Sequence, residues 1–112
     1  MPHLRSLLLV ALLLLAGRVE AQTGVVLMHG KWGTPLGPTQ PLEMAMRAAG
    51  FMVIAREMAW SHDRAYDQTL DQVMVEIDRE VAELRSDGAR TIVVAGQSFG
   101  ANMALAYAAR HP

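Results

Sequence analysis

The residue whose surroundings point most directly to chemistry is Ser98, the middle of Gly96-Gln97-Ser98-Phe99-Gly100. Ahead of it run Ile92, Val93, Val94 and Ala95, too few for a helix and apolar on both faces, which predicts a strand buried in a parallel sheet. Behind it, from Ala101 onward, come Ala, Met and Leu with no breaker before His111-Pro112, which predicts a helix. Turning from strand to helix in about five residues forces unfavourable backbone angles on the middle residue and crowds the positions two before and two after it. Glycine at 96 and 100 removes the side chains that would clash there. The product is a hydroxyl at the C-terminal edge of a sheet, beside a helix N-terminus whose free N–H groups favour a developing negative charge. That is what a nucleophile needs. Alone, Gly-x-Ser-x-Gly is a weak pattern whose simplest reading is a tight turn. The strand before it and the helix after it are what give it weight.

The elements that must position this serine can be followed from the start of the chain. Gly24-Val25-Val26-Leu27-Met28 is a second continuous apolar run, and His29-Gly30-Lys31-Trp32-Gly33-Thr34-Pro35-Leu36-Gly37-Pro38 follows it, so a buried strand leads into a glycine- and proline-rich loop. Thr39 is an expected N-cap with Pro41 in the first turn, and Leu42, Ala45, Met46 and Ala49 recur at helical spacing until Gly50. Phe51 to Ala55, FMVIA, is the next buried strand, completing a strand-helix-strand unit with parallel strands. Residues 56–68 are the least regular stretch, and the simplest reading is a surface loop, with Trp60 or Tyr66 available to line a substrate entrance. Its Ser61-His62-Asp63 run is not a triad, because adjacent side chains diverge. Leu70, Val73, Met74, Ile77, Val81 and Leu84 form one stripe of a long helix, opposite a face of Glu76, Arg79, Glu80, Glu83 and Arg85 that reads as solvated. Thr69 and Gln72 have the spacing of a capping box, and Ser86-Asp87-Gly88 closes the helix.

Together these motifs resemble the α/β-hydrolase family of serine esterases and lipases, in its N-terminal portion only. The Ser98 corner resembles that family's nucleophile elbow, and His29-Gly30 after the first strand looks like its oxyanion loop. The resemblance implies an α/β fold: three parallel strands with crossover helices, a doubly wound sheet truncated after the elbow helix, with the first strand between the other two. It implies that the backbone N–H groups of Phe99 and Lys31 form the oxyanion hole, that Gly30, Gly96 and Gly100 serve the loop and elbow, and that His29 braces the loop instead of acting as base. Trp32 is a candidate wall of the substrate pocket. The implied activity is hydrolysis of a carboxylic ester or acyl substrate through an acyl-enzyme on Ser98, with esterase, lipase, thioesterase and peptidase all compatible. The family's triad acid and histidine come after the elbow helix, and no residue of this chain matches them. His111 lies a dozen residues along that helix at about 1.5 Å each, too far from Ser98. The chain is therefore expected to be a fragment of a longer hydrolase, inactive by itself. The alternative is a non-catalytic binding or decayed protein that keeps part of the fold.

Residues 1–21 read as an export signal: His3 and Arg5 at the start, an apolar stretch from Leu7 to Ala16, and Val19-Glu20-Ala21 as a cleavage site before Gln22. The apolar stretch is about half of the ~20 residues that span a bilayer, so no stable membrane anchor is expected after cleavage. A periplasmic or secreted protein follows, with residues 22–112 as the N-terminal part of the hydrolase domain. There is no cysteine, and the balance of 10 Lys and Arg against 11 Asp and Glu contains no charge run, which argues against nucleic acid as a partner. No metal cluster or cofactor motif is present. A nucleotide-binding domain is disfavoured because no strand is followed by Gly-x-Gly-x-x-Gly.

Overall fold

A computed structural model describes residues 5–10 and 22–112. The expected export signal falls mostly outside the described residues; of it, only 5–10 are described, as an exposed helical turn. Among the described residues no helix is long and apolar enough to cross a membrane.

The chain runs β1 (Thr23–Met28), α1 (Gln40–Ala48), β2 (Met52–Ile54), α2 (Leu70–Ser86), β3 (Thr91–Gly96) and α3 (Phe99–Arg110). The three strands form one parallel sheet in the order β2-β1-β3, with Val26 opposite Ile54 on one side and Val94 on the other. Side chains alternate along β1, so its two faces serve two cores. Val26 and Met28 pack with Val73, Met74, Ile77 and Leu84 of α2 and with Ala104 and Tyr107 of α3. Val25 and Leu27 pack with Val53 and, more loosely, Met46 of α1. Helices thus cover both faces, and the winding reverses at β1. The loops after β1 and β3 therefore leave adjacent strands at the same edge of the sheet, the usual ligand crevice of an open α/β sheet.

Several expectations change in detail. Thr39 occupies the N-cap position of α1, but its backbone is already helical and its side chain makes no capping bond. No residue of α1 is fully buried, so its apolar stripe covers only half a core. At α2 both capping-box bonds form, Gln72 N–H to Thr69 Oγ1 at 3.2 Å and Thr69 N–H to Gln72 Oε1 at 2.8 Å. Glu80, read as solvated, is 6 % exposed, while Leu70, read as core, is 46 % exposed. The stripe predicts a facing sheet and no more; residues 55–69 pack over α2 as well and bury Glu80's side of it. β3 also departs from a strand buried on both faces, because one of its edges is unpaired and Val93 is 42 % exposed.

The largest correction concerns residues 56–68. The stretch is no surface loop at its centre: Met58, Ala59, Trp60 and Ser61 are all buried. Its outer part is tied to α2 by Arg64, whose guanidinium donates to both carboxylate oxygens of Glu76 at 3.0 and 2.6 Å and to Asp67 at 3.0 and 3.1 Å.

Candidate functional site

Ser98 turns the chain from β3 into α3 with φ 55° and ψ −117°, a left-handed conformation that costs a non-glycine residue about 1–3 kcal/mol. Backbone contact on both sides holds it there. A Cβ on Gly96 would overlap the carbonyl group of Gly100 and lie 2.7 Å from the Ala101 nitrogen. A Cβ on Gly100 would overlap the Met28 carbonyl and lie 2.6 Å from that of His29. The corner can therefore be this tight only with glycine at both positions, and it presses α3 directly onto the end of β1. Gln97 N–H, donating to Met28 O at 3.1 Å, carries the β1–β3 pairing one residue into the turn.

The loop after β1 meets this corner. Gly30 sits so close to it that an added Cβ would be 3.1 Å from Gln97 Oε1 and 3.5 Å from the Ser98 Cβ. Gly33 N–H closes a turn onto Gly30 O at 3.1 Å, with Lys31 and Trp32 at its centre. Among the described residues, neither the Lys31 N–H nor the Phe99 N–H donates to a protein acceptor. Both amides belong to residues beside Ser98, one across the loop and one next in sequence, and the second opens a helix N-terminus. A cleft of about 220 Å³ joins these parts, lined by Ser98, Gln97, Gly30, Lys31 and Thr34.

His29 cannot serve Ser98. The Met58 backbone N–H donates to Nε2 at 2.9 Å, so that nitrogen is unprotonated; Nδ1 carries the proton and donates to Gly30 O at 2.9 Å. The His29 carbonyl in turn accepts the Trp60 indole N–H at 2.7 Å. One buried histidine thus fastens the loop after β1 to the loop after β2. Trp32 completes the fastening by donating its N–H to Trp60 O at 2.8 Å.

The other candidates fall in different places. Ser61 is buried and its Oγ accepts from Arg64 N–H at 3.0 Å, whereas His62 and Asp63 point to solvent, so the three do not converge. His111 stacks on Tyr107, with ring centroids 4.1 Å apart, and pairs with Asp78 of α2 at 3.2 Å, at the far end of α3 from Ser98. Trp32 does not line the Ser98 cleft; its ring stacks on Tyr66 at 5.9 Å. Tyr66 continues edge-on to Phe99 at 6.0 Å, and Phe99 to Trp60 at 5.2 Å. This aromatic chain links the three loops. Sequence reading named Trp60 and Tyr66 only as possible lining and missed Arg64, whose partners lie up to twelve residues away and leave no local pattern.

Strain is concentrated at the same edge. Among the described residues the non-glycine positions with positive φ are Trp32, Ala65, Tyr66 and Ser98, all in the loops that follow the three strands. Strain of this kind persists where surrounding structure over-determines it, and it clusters at binding and catalytic sites. A larger recess of about 410 Å³ runs along β2 between Arg47 and Arg56, but it contains no nucleophile and shares no residue with the Ser98 cleft. Among the described residues no group of His, Asp or Glu could hold a metal ion. Comparison with protein-family models, with curated proteins and with solved structures found no match.

Proposed function

We propose that this chain is the nucleophile-bearing part of an α/β-hydrolase-type serine hydrolase of carboxylic esters. The observation that carries the reading is the strained, glycine-framed Ser98 set against Gly30, with two unpartnered amides beside it. In this reading Ser98 Oγ attacks the ester carbonyl carbon and gives its proton to a base. The carbonyl oxygen becomes an oxyanion held by the Phe99 and Lys31 N–H groups. The bond to the leaving oxygen then breaks, that oxygen takes up the proton, and the acyl group stays on Ser98 until water removes it. His29, His62 and His111 are engaged or placed elsewhere, so the reading assigns the base and its carboxylate partner to chain beyond these 112 residues. Export before action, to the periplasm or the exterior, belongs to the same proposal.

The test is acylation of Ser98 by p-nitrophenyl acetate, read by peptide mass mapping, with and without added imidazole as a substitute base. The expected outcome is slow acetylation of Ser98 that accelerates with imidazole and disappears in Ser98→Ala. A second reading, a binding protein that keeps the fold without the reaction, is favoured by the engagement of all three described histidines. It takes over when imidazole leaves Ser98 unmodified.

A further inference from the structure

Phe99, the residue after Ser98, lines a second cavity of about 280 Å³ that shares no lining residue with the Ser98 cleft. Trp60, Val73, Phe99 and Met103 form its apolar interior, and Tyr66 stands at it in its strained left-handed conformation. Leu70, the exposed first residue of α2, borders the opening. The two spaces differ in chemistry. The Ser98 cleft is bordered by Lys31, Thr34 and Gln97, whereas the polar side chains lining the second cavity are Gln68, Tyr66 and Trp60, and the Trp60 indole N–H is already bonded to the His29 carbonyl.

We propose that this second cavity is the acyl subsite, and that its limited apolar space selects a compact acyl group, a single aromatic ring or a short alkyl chain, over a long one. The proposal rests on reading Ser98 as the nucleophile. Phe99 is the link in that reading: its N–H faces the carbonyl oxygen, and the same residue lines the cavity. The leaving oxygen must take up a proton, so its place is the polar, open cleft. The acyl group has no such requirement and gains from leaving water, at about 0.8 kcal/mol per methylene. Three aromatic rings border the space, Tyr66 edge to face with Phe99 and Trp60 tilted against it, which suits a flat or slender group better than a branched one.

The experiment titrates the 112-residue chain with methyl alkanoates from butanoate to dodecanoate and with methyl phenylacetate, following the Met103 methyl resonance. Affinity is expected to rise about fourfold per methylene and to stop rising within the series, once the chain outgrows the cavity. Leu70→Trp, a change at an exposed position, should remove the chain-length dependence, and Ser98→Ala should preserve it. No shift at Met103, affinity that climbs without a ceiling, or an unchanged series in Leu70→Trp would overturn the proposal. Acylation of Ser98 without any chain-length ceiling would overturn it while leaving the hydrolase reading intact. A ceiling at Met103 with Ser98 inert to ester and imidazole would remove the acyl assignment together with that reading.

Discussion

The corner at Ser98 and the loop over residues 55–69 follow their strands at the same edge of the sheet, yet different means hold them. The corner is held by backbone alone: two glycines let β3, α3 and the end of β1 touch without intervening side chains. The loop is held mainly through side chains, Trp60 to the His29 carbonyl, Met58 N–H to the His29 ring and Arg64 to Asp67 and Glu76, with one backbone bond from Trp32 to Trp60. A backbone-held turn has one geometry or none, because the chain cannot yield without separating elements. A side-chain-held loop can lose one contact and keep the others. Placing Ser98 on the first kind and the surrounding aromatics on the second gives a fixed side chain beside adaptable walls.

The largest effect expected is Gly100→Ala. Its methyl would enter the Met28 and His29 carbonyls, and the loss is about 4 kcal/mol or more, enough to abolish a cooperative urea transition. A transition displaced by less than about 1 kcal/mol would show that the corner yields after all.

The loop side is probed by Glu80, which is buried between the Arg64–Glu76 and Arg56–Glu83 ion pairs with one carboxylate oxygen unpartnered. Burial pushes its pKa up from 4.5 to about 7; Arg56 opposes the rise, and Glu76 and Glu83 add to it. The folded chain therefore binds more protons than the unfolded chain between those values, and stability falls as pH rises from 4.5 to about 7. Glu80→Gln, neutral throughout, should flatten that slope and be more stable than the parent by about 2 kcal/mol at pH 8. Denaturation midpoints measured from pH 4 to 8 check it, and a slope that survives in the variant refutes it.

The smallest effect expected is a gain. Ser98→Gly relieves the left-handed strain and should stabilise the chain by about 1 kcal/mol in thermal or urea unfolding, while removing all acylation. A loss of stability instead would mean that the serine side chain contributes packing that outweighs its strain.

The same contrast explains what the sequence disclosed. The corner was legible because its cause is local: glycines two residues either side of a serine, between a strand pattern and a helix pattern. The sheet order followed from the two crossovers and the family resemblance, and the α2 capping box from a three-residue spacing. The loop was illegible because its order comes from distance. Nothing near Trp60 says that its indole meets a carbonyl 31 residues earlier, and nothing near Glu80 says that a loop will cover it. The exposure of β3 could be read from strand order but not from its composition, which is that of a central strand.

The opposite edge of the sheet offers a practical opening. The turn from α2 into β3 ends the helix by Gly88 N–H donating to Arg85 O and Ala89 N–H to Leu84 O; Gly88 takes φ 107° and is best left as glycine, but its neighbour Asp87 is exposed at φ −80° and can be replaced without that strain. Fluorophores, affinity tags or immobilising linkers introduced there would extend into free solution, on the far side of the sheet from Ser98. The chain carries no cysteine, so a single cysteine placed in this turn would be its only thiol and could be labelled selectively without touching the Ser98 edge.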